Sequence, residues 1–144
     1  MPDSLLVDIN GPVATVTFNR PDQRNAISYE MWLRLDEVVK RLETDSSVRC
    51  VVFRGAGEAA FSSGADIKDF RDHRYDSRSA RKYADAFERV QDRVERMPQP
   101  TISMISGYCV GGGLEFATCT DIRIAAEGSK FGVPVSRIGI LAGF

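Results

Sequence analysis

The sequence is poor in the residues that build metal centres and disulfide frameworks. Its three cysteines, Cys50, Cys109 and Cys119, are odd in number, contain no Cys-x-x-Cys pair and stand in apolar surroundings. A free thiol there behaves as a small buried hydrophobe. Neither a disulfide framework nor a zinc site is expected, and no metal. The only histidine, His73, lies in the polar, charged stretch 69–82 and reads as a surface residue. No apolar run is long enough to span a bilayer, and Met-Pro-Asp-Ser at the start has no basic flank leading into an apolar stretch. A membrane partner is therefore not expected, and a reducing cytoplasm is the expected compartment. An excess of one charge is also missing. With 19 basic and 20 acidic residues the net charge is −1, which argues against nucleic acid as a partner, since phosphate backbones call for a strong basic excess. Arg71, Arg74, Arg78, Arg81 and Lys82 are interleaved with Asp69, Asp72, Asp76 and Asp85 and read as a solvated face.

What remains is a globular composition, 43% hydrophobic and 27% charged over 144 residues, enough for one domain with a real core. Residues 5–9 and 13–18 read as strands joined at Asn10-Gly11-Pro12, a hairpin signal. Ser28 can cap a helix whose apolar positions are Met31, Leu35, Val38, Val39 and Leu42. A strand at 50–53 ends in the flexible Arg54-Gly55-Ala56-Gly57. Tyr83, Phe87, Val90, Val94 and Met97 mark a second helix, stopped by Pro98. A strand at 101–105, a turn at 107–113, a helix at 114–119 and a strand at 122–125 complete an α/β pattern. The apolar stretch 138–144 carries no closing polar helix and would favour pairing with another chain.

Two glycine-containing turns carry the chemistry. In Ser106-Gly107-Tyr108-Cys109-Val110-Gly111-Gly112-Gly113-Leu114-Glu115, three consecutive glycines follow a strand and open a helix. Without Cβ atoms, a ligand can approach the backbone N–H groups, which are unpaired at a helix start and suit an oxygen that gains negative charge. Glu115, three residues after Gly112, lies about one turn on along the same face. A carboxylate beside an oxyanion donor can move a proton to or from carbon or water next to an activated carbonyl. The second turn, 61–66, exposes backbone N–H groups in the same way and can enter a short helix at Asp66. Two donor turns with one carboxylate fit carbonyl activation. A dinucleotide-binding turn of the short-chain dehydrogenase type is the rival, with Gly107, Gly111 and Gly113 spaced for it and Glu127 near the ribose position. That family places the turn near the N-terminus and needs a Tyr-xxx-Lys pair. Here the residues four after Tyr29, Tyr75, Tyr83 and Tyr108 are Leu33, Ser79, Phe87 and Gly112, and the rival fails.

Phe61-Ser62-Ser63-Gly64-Ala65-Asp66-Ile67-Lys68 and Gly107-Tyr108-Cys109-Val110-Gly111-Gly112-Gly113-Leu114-Glu115 resemble the two signature motifs of the crotonase, or enoyl-CoA hydratase/isomerase, superfamily. Phe18-Asn19-Arg20-Pro21, Arg24-Asn25-Ala26, Thr120-Asp121-Ile122-Arg123-Ile124-Ala125 and Phe131-Gly132-x-Pro134 match as well, in family order. The resemblance implies an α/β fold of the crotonase-like ββα spiral type, with residues 1–144 as its core domain and the C-terminal helical part lacking. It implies an acyl-CoA thioester as partner, with the Ala65 and Gly112 amides as oxyanion hole and Glu115 as acid/base. Arg24, Ala26, Ser63, Gly64, Asp66, Ile67 and Lys68 fall where the family contacts CoA; Tyr108, Gly111, Pro134 and Val135 are expected to line the substrate site. No cofactor is implied, since coenzyme A is part of the substrate. Family hydratases use a second glutamate after the proline of Phe-Gly-x-Pro. Here that position is Val135, which cannot transfer a proton. Enoyl-CoA hydration is the expected reaction, with another family reaction or a degenerate subunit as alternatives. The family also implies a homo-oligomer, trimer or hexamer, or a second chain supplying the C-terminal half.

Overall fold

A computed structural model describes residues 3–139. The apolar stretch 138–144 lies largely outside that range. β1 (Leu5–Asn10) and β2 (Val13–Phe18) form the antiparallel hairpin expected from Asn10-Gly11-Pro12. α1 (Tyr29–Thr44) follows, capped by Ser28, whose side chain accepts from the Met31 N–H. Its buried side chains Met31, Trp32, Leu35, Val38, Val39 and Leu42 form one stripe toward the sheet.

The rest of the chain winds as a spiral with a repeating order. β3 (Cys50–Gly55), β5 (Thr101–Ile105) and β7 (Ile122–Ala125) add to a five-stranded sheet, β1-β2-β3-β5-β7, parallel from β2 onward. β4 (Ala60–Ser62), β6 (Tyr108–Val110) and β8 (Lys130–Gly132) form a smaller parallel sheet, β4-β6-β8. Between turns lie α2 (Phe70–His73), α3 (Ser77–Glu95) and α4 (Gly112–Thr118), and after β8 comes α5 (Val135–Ile138). Each turn thus gives one strand to each sheet and then a helix.

Two elements differ from the sequence reading. The stretch 107–113 is not one turn: β6 occupies its middle, bracketed by Gly107 and Gly111 at positive φ, and the density of glycine hides a three-residue strand. α3 begins at Ser77, earlier than its apolar spacing suggests. A reciprocal capping box between Asp76 and Ser79 starts it, and the first turn is polar. Most of the charged stretch is exposed as expected, but Arg74 lies over the Phe70 ring and His73 stacks on Tyr29 at 4.5 Å, half-buried.

The core is aromatic at its centre. Phe116 of α4 meets Phe18 at 5.5 Å and Phe53 at 5.0 Å, both edge-on, a preferred ring geometry. Arg93 ties α3 to α1 through Asp36 and Glu43, each at 2.8 Å. Trp32 donates its indole N–H to the Tyr83 hydroxyl at 3.3 Å. Burial pushes the Tyr83 phenol up to about 12. The unfolded chain releases this proton near pH 10, so the associated stability is full below that pH and is lost as pH rises toward 12. Denaturant titrations between pH 8 and 12 are expected to show a loss of roughly 2–3 kcal/mol from this group, absent in Tyr83→Phe.

The edge of the large sheet at β7 is bare. All four residues of β7 are exposed, Ile122 to 49% and Ile124 to 57%, and Met104 of the neighbouring β5 is exposed as well. A cleft of about 350 Å³ runs along it between Gly57, Glu58, Met104, Ile124 and Ala126.

Candidate active site

The turn after β4 uses almost all of its amides. The Ser63 N–H donates to the Arg24 carbonyl at 2.9 Å, and the Gly64 N–H to the Ser62 hydroxyl at 3.1 Å. The Asp66 N–H donates to the Ile27 carbonyl at 2.9 Å, while the Gly64 carbonyl accepts from the Ile27 N–H at 2.8 Å. This pattern is a short parallel bridge between Ile27 and Ala65. The Ala65 amide is left over: among the described residues it has no acceptor. Gly64 makes the arrangement possible with φ +92, a conformation costly to other residues.

The second turn delivers a matching donor. β6 runs into Gly111, whose N–H donates to the Gly132 carbonyl at 2.8 Å and whose carbonyl accepts from Leu114 and Glu115 at 3.0 Å each. Gly112 is the first residue of α4, where no carbonyl lies one turn back, and its amide too has no acceptor among the described residues. The two turns touch. A Cβ on Gly64 would stand 3.0 Å from the Gly112 nitrogen, and a Cβ on Gly112 would stand 3.5 Å from the Ala65 nitrogen. Gly113 allows this approach, because a Cβ there would lie 2.7 Å from the Ser62 carbonyl oxygen. Two unpartnered backbone donors therefore sit side by side, the arrangement that stabilises an oxygen gaining negative charge.

Glu115 lies one turn into α4, half-buried, and its carboxylate has no hydrogen-bond partner among the described residues. Its main-chain carbonyl accepts from the Thr118 hydroxyl at 2.6 Å and the Cys119 thiol at 3.4 Å. Burial, with the Glu95 and Glu115 charges adding to it, pushes the Cys119 thiol up. It stays protonated and does not act as a nucleophile near neutral pH.

Several expected contact residues gather on the loop 20–27 beside these turns. The Arg24 guanidinium lies 5.2 Å over the Tyr108 ring. The Ala26 N–H donates to Gln23 and its carbonyl accepts from Arg20. Ser63 donates weakly to the Gln23 carbonyl at 3.4 Å. The Asp66 carboxylate is occupied within the chain, by Arg20 at 2.8 Å and the Lys68 N–H at 3.1 Å, and its main-chain carbonyl accepts from the Asp69 N–H at 3.0 Å. Ile67 and Lys68 are exposed on a 3-10 turn. Pro134 caps α5 and Val135 opens it, three residues past the Gly132 carbonyl that holds Gly111.

The sequence reading missed the clamp that holds these pieces. Arg20 reaches Asp66 with side chains only 19% and 10% exposed, and also bonds the Ala26 carbonyl at 2.8 Å. Asn25, fully buried at φ +53, accepts from the Arg20 N–H and donates to the carbonyls of Ala56 and Ala60. The signal was an asparagine after Arg-Pro-Asp-Gln-Arg, since asparagine tolerates the left-handed region better than most residues. The 350 Å³ cleft shares no lining residue with the amide pair, which lies open.

Comparison with known proteins fits this geometry. The family model for enoyl-CoA hydratase/isomerase matches residues 8–144. A short-chain-enoyl-CoA hydratase from Clostridium acetobutylicum is 36% identical over 142 residues, 99% of this chain and 54% of that protein. A crotonyl-CoA hydratase from Syntrophomonas wolfei is 31% identical, with the same coverage. Among solved structures, an enoyl-CoA hydratase/carnithine racemase from Magnetospirillum magneticum superposes with a TM-score of 0.95 at 42% identity, over all of this chain and 54% of that one. The chain spans about half the length of the curated relatives it matches. The ββα spiral is the crotonase fold, and the chain belongs to the enoyl-CoA hydratase/isomerase family.

Proposed function

We propose that the chain carries the thioester-activating half of an acyl-CoA enzyme whose reaction is hydration of an enoyl-CoA. The observation that carries this reading is the pair of adjacent, unpartnered amides at Ala65 and Gly112. The thioester oxygen sits between them. As the water oxygen bonds to the β-carbon, the double-bond electrons move toward the thioester oxygen and form an enolate, which the two N–H groups stabilise. Glu115 takes the proton the water gives up and returns it to the α-carbon as the enolate collapses. Arg24, Ala26, Ser63, Gly64, Asp66, Ile67 and Lys68 border the CoA portion; Tyr108, Gly111, Pro134 and Val135 border the substrate. CoA enters as part of the substrate, and no separate cofactor has a role.

The bare edge strand β7 supports a further part of the proposal. The remaining half of the family's length, in a longer chain or a second one, packs there and completes the acyl pocket, in a protein that assembles as a trimer or hexamer. No helix among the described residues is long and apolar enough to cross a membrane; a cytoplasmic location is part of the proposal.

Val135 favours a second reading. With one carboxylate where family hydratases use two, the same oxyanion hole can serve a different enolate reaction, or a subunit that binds without turnover. Equilibrium dialysis of crotonyl-CoA against the assembled protein, followed by assay of the conjugated thioester's absorbance, separates these. Binding with loss of the conjugated absorbance supports hydration, and binding without it supports the second reading. Absence of binding by any acyl-CoA overturns both.

A further inference from the structure

The loop 20–27 is held in a costly conformation. Arg24 at φ +50 and its neighbour Asn25 at φ +53 are the non-glycine residues at positive φ among the described residues. That region is unfavourable for a residue with a Cβ, and it persists only where the surroundings over-determine it. Asn25 supplies part of that restraint: its side chain accepts from the Arg20 N–H at 3.0 Å and donates to the Ala60 carbonyl at 2.7 Å. The bend presents the carbonyls of Arg24 and Ile27 to the turn after β4, where they accept from the Ser63 and Asp66 amides. The bridge between Ile27 and Ala65 is a single residue pair, with no ladder to extend it.

Arg20 closes this joint from both sides. Its Nη1 donates to the carbonyl of Ala26, just before Ile27, and its Nη2 to the carboxylate of Asp66, just after Ala65, each at 2.8 Å. The other Asp66 oxygen accepts from the Lys68 N–H at 3.1 Å, so the carboxylate also fixes the backbone that follows Ala65. The pair is largely out of water, where salt screens it little and charge-assisted hydrogen bonds are short and strong. We propose that Arg20, acting through Asp66, is a positioning residue that sets the direction of the Ala65 N–H in the oxyanion hole. Its role rests on the acyl-CoA reading of the amide pair. Without the guanidinium the Asp66 charge is uncompensated. The turn then shifts toward water and carries the Ala65 N–H away from the point it shares with Gly112. A displacement of about 1 Å in such a group costs on the order of a hundredfold in rate.

Arg20→Ala, Asp66→Asn and the double variant test this in the assembled protein. Two quantities are read: kcat and KM for crotonyl-CoA hydration, and the carbonyl stretch of bound crotonyl-CoA labelled with carbon-13 at the thioester. Urea unfolding of each variant gives the folded fraction, so rates are expressed per folded chain. Asp66→Asn keeps the side chain's size and an oxygen for the Lys68 N–H, so it is expected to fold and decides alone if Arg20→Ala does not. Positioning predicts a kcat lower by about ten- to a hundredfold in each single variant, a KM little changed, and a carbonyl stretch closer to that in water. Since the two residues act as one pair, the double variant loses no more than the worse single one. A wild-type kcat and stretch in Asp66→Asn, even with a lower urea midpoint, overturn the positioning role and leave the amide pair standing. Losses that multiply in the double variant overturn it too. If the wild-type protein binds the thioester without turnover, the stretch decides. A wild-type stretch equal to that in water removes the amide pair, and the role of Arg20 with it.

Discussion

Replacing Glu115 by glutamine is expected to lower turnover of an enoyl-CoA thioester by about 10²–10⁴-fold, with little change in thioester affinity. Glutamine keeps the size of the side chain and its place on α4, so packing around Phe116 is preserved. What it removes is a group that can accept and return a proton. The carboxylate has no hydrogen-bond partner among the described residues, so the substitution breaks no internal contact, and a fall in kcat at constant KM reports chemistry rather than binding. The effect is large because Val135 stands where a second glutamate would share the work. The assay is steady-state hydration in the assembled protein. Survival of wild-type hydration rates would remove Glu115 from the mechanism.

The largest loss of stability from a single small change is expected at Gly107→Ala. Gly107 sits at φ +69, and a Cβ there would lie 2.1 Å from the Ala59 carbonyl oxygen and 2.6 Å from the Glu58 carbonyl oxygen. Both neighbours are backbone and cannot turn away. The left-handed conformation costs roughly 1–2 kcal/mol for alanine, and the overlap adds about 1–3 kcal/mol or more. The shift also strains the hydrogen bonds Tyr108 N–H to Ala59 and Lys130 N–H to Gly107 that hold β6 between its neighbours. A total of about 2–5 kcal/mol follows, a large share of the stability of a typical domain. Gly57→Ala is the control, because Gly57 has φ +72 with nothing within 4 Å of a Cβ. Only the conformational cost applies there, about 1–2 kcal/mol. Urea unfolding of both variants measures the difference.

Much of the fold was legible because its signals are local. The helices follow from Ser28 with its apolar stripe and from Tyr83, Val90 and Val94. The hairpin follows from Asn10-Gly11-Pro12. β4, β6 and β8 were not legible, since three-residue strands are made by their partners: β6 exists because Ala60 and Lys130 lie on either side of Tyr108. The amide pair was legible as two motifs, but not the reason each amide is free. At Ala65 that reason is the Ile27 bridge, thirty-eight positions away in sequence, and at Gly112 it is the helix start. The Arg20–Asp66 clamp has the same character, spanning loops that only the fold brings together.

The central claim is that the Ala65 and Gly112 amides polarise a thioester carbonyl. Gly112 offers a direct test, because the first position of a helix accepts proline without losing an internal hydrogen bond. Gly111 before it, at φ 53 and ψ −132, is outside the helical region that proline disfavours in its predecessor. Gly112→Pro therefore deletes one donor, while Gly112→Ala keeps it with its Cβ in ordinary contact at 3.5 Å from the Ala65 nitrogen. The measurement is the infrared stretch of crotonyl-CoA labelled with carbon-13 at the thioester carbonyl, bound to the wild-type protein and to each variant. The proposed oxyanion hole predicts a stretch at lower wavenumber than in water for the wild type and Gly112→Ala, with a clearly smaller shift for Gly112→Pro. A bound thioester whose carbonyl stretch matches that in water, or whose shift is the same in all three proteins, would contradict it.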